Sequence, residues 1–227
     1  NMVYFAIIGD IIGSKNLEDR AEVQRKLKNV LKGVNQDYKA NLASNFSITL
    51  GDEFQGLLKT AENLMEIMDI IRFQMYPVEL RFGVGIGEMR TDVIYENSMG
   101  SDGPAYWAAR EAICFVHDKV DYSISKIYVQ TWKEDADEKS KTFDSIINTI
   151  LKLCGLQEQS WTESQSEFVR AVVLKYRYQL DRYSQRKIAR EMQMSSQLLN
   201  SKIKNTGIIT YIDSKKQLQI AMQKEWR

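Results

Sequence analysis

Residues 78–88, VELRFGVGIGE, place Leu80, Phe82, Val84 and Ile86 at every second position, with Gly83 and Gly85 between them. That period belongs to a strand, and its glycine face lets a neighbouring backbone approach closely. Such a strand needs a sheet around it, and the flanking segments supply one. VYFAIIGD (3–10) reads as a buried strand. Residues 17–38 carry Leu27, Val30, Leu31 and Val34 on one helical stripe. NFSITLGDEFQGLL (45–58) divides into two strands around Gly51-Asp52, ordinary turn residues. A helix is predicted over 60–75, from an N-cap at Thr60 to the Tyr76-Pro77 stop, with its methionines filling the core. Residues 104–117 form a helix with proline first, and 123–131 a last strand. The order β-α-β-β-α-β-α-β predicts an α+β fold on the ferredoxin-like, split-βαβ plan: a mostly antiparallel sheet with helices on one face.

The 227 residues suffice for one large or two smaller domains. No apolar run approaches membrane-spanning length, and residues 1–20 carry Asp10 and Lys15 where a signal peptide needs apolar sequence. Asn1 before Met2 reads as an expression scar. Cys114 and Cys154 stand far apart among apolar residues and are expected as reduced core thiols of a cytoplasmic protein. His117 is the lone histidine, which excludes a histidine triad or a multi-histidine zinc site, and it is expected on the surface.

Charge divides the chain. Residues 158–227 hold 13 Lys/Arg against 7 Asp/Glu, whereas residues 1–157 hold 18 against 23. An acidic front and a basic tail predict two domains with different partners: a sheet domain over 1–131, a connecting helix within 132–157, and a small all-α domain over 158–227. In the tail, 161–180 reads as one helix. YSQRKIAREMQMSSQLLNSKIKNTG (183–207) then has the form of a helix-turn-helix. Ser184 caps its first helix, and Ser196 opens a second that ends at Gly207. Ile188, Ala189, Met192, Leu198 and Ile203 form the expected seam. Ser195, Gln197, Asn200, Ser201 and Lys204 are residue types that reach base edges and phosphates. Arg186, Lys187, Arg190, Lys202 and Lys204 would neutralise phosphates. DNA is the expected partner of this tail, and a helical dimerisation module is the bland alternative.

In the front domain, Asp10 ends the first strand and Asp52 sits in the central hairpin turn beside Glu53. Neighbouring strands would let the carboxylates converge. Two carboxylates and a backbone carbonyl suit Mg²⁺ or Mn²⁺, with phosphate oxygens completing the shell. Gly13-Ser14, leading into a helix, could present backbone N–H groups to a phosphate.

The segments GDIIGSK, TLGDEFQG, LRFGVGIGE and GPAYWAAR resemble, in order, the four signature segments of class III nucleotidyl cyclases, over roughly residues 3–130. The second is also similar to the hairpin of GGDEF diguanylate cyclases. With its tail, the chain most resembles the SatD family. The cyclase resemblance implies that Asp10, Asp52 and the Ile11 carbonyl hold metal, with Glu53 as an accessory. It implies that Gly13 and Ser14 face phosphate, and that Arg110 stabilises charge on the reacting phosphate across a dimer interface. Ile48 and Tyr106 replace the lysine and asparagine with which adenine-selecting cyclases read base and ribose. The expected function is a homodimeric transcriptional regulator: a nucleotide or related phosphate ligand with Mg²⁺ in front, DNA behind. The alternatives are an active nucleotidyl-transfer enzyme and a ligand-free dimerisation domain.

Overall fold

The computed structural model describes residues 2–14, 19–118, 124–134 and 136–226. Five strands, β1 (Tyr4–Ile11), β2 (Leu42–Ile48), β3 (Glu53–Leu58), β4 (Leu80–Gly87) and β5 (Ile127–Thr131), form one sheet in the order β2-β3-β1-β4-β5. Pairing is antiparallel except between β4 and β5. The first four strands reproduce the split-βαβ order, and β5 extends it.

Alternation along the strands builds two layers of cover. Phe5, Ile7 and Ile11 of β1 join Leu80, Phe82, Val84 and Ile86 of β4 in a core beneath α1 (Arg20–Asp37) and α2 (Leu64–Met75). Ala6 and Ile8 point the other way, onto Ala105, Ala109 and Ile113 of α3 (Pro104–His117). The helices of the split-βαβ unit thus share one face, while α3 occupies the opposite one. Gly83 and Gly85 make this possible, because a Cβ at either would collide with the α3 backbone. Cys114, expected in the core, is exposed, since the sheet-facing phase of α3 belongs to Ala112, Ile113 and Val116. Cys154 is buried and His117 exposed, as expected.

Both sheet edges are closed by asparagines from neighbouring helices. Asn35 of α1 exchanges hydrogen bonds with the backbone of Phe46 on β2. Asn148 of α4 (Glu138–Ser160) does the same for Val129 on β5. One turn away, Asp144 accepts from the backbone N–H and hydroxyl of Thr131 at 2.6 and 3.0 Å. An edge so occupied offers no template for a further strand.

The tail comprises α4, α5 (Glu163–Tyr176), α6 (Gln185–Glu191), α7 (Ser196–Thr206) and α8 (Ile208–Glu225). The boundary expected at residue 157 falls inside α4, and the helix expected over 161–180 stops at Tyr176. Arg177 there turns to φ 57°, and a short turn over Leu180–Arg182 follows. The cap at Ser184, the opening of the second helix at Ser196 and its end at Gly207 stand as expected, with Ser195 as that helix's N-cap. Leu199, not Leu198, fills the seam: Leu199 is buried and Leu198 is 47% exposed. Ile203, four residues on from Leu199, packs against the core as expected.

The tail is welded to α2. Tyr211, Lys215, Gln219 and Gln223 recur every four residues, on one face of α8. Lys215 Nζ bonds Asp69 of α2 at 2.7 and 2.9 Å. Arg72 donates to Asp69 at 2.8 Å and bidentately to Glu158 of α4 at 2.8 and 2.6 Å. Gln219 accepts from the Glu66 N–H and donates to the Glu62 carbonyl. Gln223 accepts from Thr60 and the Ala61 N–H. With residues 60–61 tied to α8, the helix expected from Thr60 begins only at Leu64. Among the described residues, no helix is long and apolar enough to cross a membrane.

Asp144 yields a pH-dependent prediction. Burial pushes its carboxyl up to about 6, against the opposing pull of the Thr131 donors. The folded state therefore favours the protonated form. That contribution is complete below the ordinary carboxylate range near 4 and is lost as pH rises through about 6. Asp144→Asn, neutral throughout, is expected to match wild type below pH ~4 and to exceed it by roughly 1–3 kcal/mol at neutral pH. Urea denaturation across this range measures the difference.

Candidate functional site

The strand-end charges converge on the α3 side of the sheet. Asp10 lies directly across from Glu53 on β3 and from Arg81 on β4. Strand alternation turns all three to the face that carries Ala6 and Ile8. Arg81 grips Asp10 bidentately, Nε to Oδ1 at 2.6 Å and NH2 to Oδ2 at 3.0 Å. Arg110, on the face of α3 that meets the sheet end, forks onto Glu53: NH2 reaches Oε1 at 2.7 Å, and NH1 engages Oε2. Two carboxylates thus stand side by side, each held by its own guanidinium.

These neighbours tune the charges. Burial raises the Asp10 carboxyl above the ordinary range; Arg81 opposes that, and Asp52 and Glu53 add to it. The hydrogen bonds that Arg110 donates to Glu53 raise its guanidinium above the ordinary value. Arg110 meets Glu53 of its own chain.

The hairpin turn is fixed from two sides. Gly51 adopts φ 62°, a left-handed conformation suited to glycine, and its carbonyl accepts from Gln24 of α1 at 2.6 Å. Asp52 stays on this turn, close enough for its charge to register at Asp10. Glu53, the expected accessory, is the carboxylate facing Asp10. Ile11 closes β1 with its side chain in the core. Gly13, at φ 67°, and Ser14 follow in a turn, and Lys15 lies outside the described residues. The expected phosphate cradle at a helix N-terminus differs in one respect. Helix α1 begins only at Arg20, and the Asp19 carboxylate caps it by accepting from the Glu22 N–H.

Asp10 and Glu53 on adjacent strands offer hard oxygen donors of the kind that suits Mg²⁺ or Mn²⁺, which a cation would have to share with Arg81 and Arg110. Among the described residues, no three acidic, histidine or cysteine side chains are grouped to hold a metal. A cation here would rely on two carboxylates, water and ligand oxygens. Ile48 packs at the core's edge, and Tyr106 is buried with Ala6, Ile8 and Leu57. Arg81 is the residue that the motif reading missed. Its strand register, two residues from Gly83 on the same face, could have exposed it.

In the tail, Arg186, Lys187, Arg190, Gln197, Asn200, Ser201 and Lys204 are exposed. Ser195 is exposed too, but its hydroxyl accepts from the Leu198 N–H as a cap. Lys202 differs from its expected role: it is half-buried, with its ammonium 5.5 Å from the Phe168 ring and 3.4 Å from Ser164.

Fold and site together define a split-βαβ domain with paired carboxylates and arginines at its strand ends, joined to a compact helical tail. The chain belongs to the SatD family, whose sequence profile matches residues 4–222. Among solved structures, it is similar to one described as the structure of a bacterial light-regulated adenylyl cyclase, at 9% identity and a TM-score of 0.43. That likeness covers 56% of this chain and 75% of the other. No curated protein matches the sequence significantly.

If Arg81 is the group that holds Asp10 down against burial, Arg81→Gln should release it. The Asp10 titration, followed by carboxyl ¹³C NMR, is expected to move up. Arg110→Gln, which unpairs Glu53 instead, should move it less.

Proposed function

We propose that this protein is a ligand-responsive DNA-binding regulator. Its strand-end site takes a nucleotide or related phosphate with Mg²⁺ or Mn²⁺, and its α6–α7 pair acts as a helix-turn-helix. The observation that carries the DNA reading is the polar face of α7. Gln197, Asn200, Ser201 and Lys204 are exposed beside Arg186, Lys187 and Arg190 of α6, while Ile188, Ala189 and Leu199 are buried. Such a surface suits base edges and phosphates, and the short capped helices suit a major groove.

At the front, Asp10 with Glu53 or Asp52, and the Ile11 carbonyl, would hold the cation. Bound there, the cation would neutralise and orient phosphate oxygens. By the cyclase resemblance, Gly13 and Ser14 would face the phosphate and Arg110 would meet its charge. Pairing of two chains would suit half-site reading. The charges of Arg110 and Asp10 also favour a second reading, nucleotidyl transfer. Loss of nucleotide turnover in Asp10→Ala would mark that enzyme.

Binding selection from random duplex DNA at low salt tests the regulator. Four phosphate contacts, from Arg186, Lys187, Arg190 and Lys204, predict that log K falls with log salt at a slope of about −3 to −4. Arg190→Gln should weaken all sequences and flatten the slope, whereas Asn200→Ala should relax preference at one position. Recovery of no DNA from the selection would overturn the reading.

A further inference from the structure

The junction between sheet and tail is hollow. A cavity of about 320 Å³ opens between the C-terminal end of α2, the chain entering β4 and β5, and helices α4, α5 and α8. That volume lies within the range of small-molecule pockets, which favour such junctions. Phe73, Leu80, Ile127, Leu151 and Cys154 give it apolar walls.

Its cations differ in what occupies them. Arg72 and Lys215, on the inner side, spend their donors on Asp69, Glu158 and Tyr211. Arg170 of α5 does not. Its side chain is 15% exposed, and its guanidinium lies 3.5 Å over the Tyr76 ring. NH2 donates to Glu163 at 3.0 Å and the guanidinium also lies in hydrogen-bonding reach of the Tyr76 hydroxyl, which together leave part of its five-donor fork uncommitted among the described residues. Glu163 is itself 73% exposed and shared with the Tyr76 hydroxyl. A mostly buried guanidinium with donors to spare, beside an apolar chamber, matches the anionic end of an amphipathic molecule.

We propose that this cavity binds a small organic carboxylate with an aromatic or branched apolar body, its carboxylate held by Arg170. The site shares no residue with the strand-end cluster, so the proposal stands whether or not a nucleotide binds there. Its occupant would touch α2 and the entries to β4 and β5 on one side, and α4, α5 and α8 on the other. Binding would therefore stabilise the docked arrangement of sheet and tail.

The test uses the full chain with Cys114→Ser, so that Cys154 is the thiol followed. Benzoate is the probe and benzamide its neutral counterpart. Benzoate is expected to slow Cys154 alkylation and raise the thermal midpoint, and benzamide to bind at least about tenfold more weakly. Arg170→Gln should cost benzoate about tenfold in affinity and leave benzamide unchanged. Ser166→Phe, which narrows the same cavity with Arg170 intact, should abolish protection by both. Equal protection by the two probes, or an Arg170→Gln variant that binds benzoate normally, would overturn the assignment. So would absence of protection at about ten times the millimolar dissociation constant expected of a ligand this small.

Discussion

The ion pair between Asp69 and Lys215 is the interaction on which the arrangement of this molecule depends. The side chains are 0% and 1% exposed, and both charges lie between helices that come from opposite ends of the sequence. Burial pushes the Asp69 carboxyl up, yet Lys215 and Arg72 outweigh it and hold the group at about 2. Such a pair adds little net stability over a packed apolar one, but removing one partner strands the other and costs about 3–5 kcal/mol. Arg72 ties the same cluster to Glu158, and Tyr211 bridges it. A one-turn slip of α8 along α2 would leave buried charge unpaired. The register of the tail is therefore chosen by electrostatics as much as by packing.

This weld has a consequence for function. Helix α2 packs beneath β4 and β1, so the tail is fixed to the α1–α2 side of the sheet. The strand-end charges face the α3 side. A ligand there and a partner of α7 would act on opposite faces of one sheet. Any coupling between them would run through the strands, through α2, or through the turn that Gln24 holds from α1. The cavity at the junction touches α2 directly, which makes it the shorter route to the tail.

Much of this was legible in the chain. The alternating Leu80–Ile86 strand, the Gly51 turn, the proline that opens α3 and the caps at Ser184 and Gly207 are local signals, written within a few residues of where they act. The α6–α7 pair was readable from the same kind of punctuation. What escaped depends on distant partners. Glu66, Asp69 and Lys215 look like solvated helix charges until α2 and α8 are brought together. Asn35 and Asn148 look like surface polar residues until a strand edge lies beside them. Leu198 and Leu199 are adjacent, and only the packed helix distinguishes them. At the site, Asp10, Glu53 and Arg110 were all named, but their pairing was not. Arg81 went unread because a strand arginine has no motif of its own.

Sheet and tail fold as one body through the α2–α8 seam. Four tryptophans report on it. Trp107 and Trp132 pack together on the α3 side, while Trp161 meets Tyr211 and Trp226 meets Phe143 edge to face in the tail. Fluorine NMR of fluorotryptophan-labelled protein through a urea titration follows each one separately. All four are expected to lose their native signals at a single midpoint. Early loss at Trp161 and Trp226, with Trp107 and Trp132 still native, would contradict it.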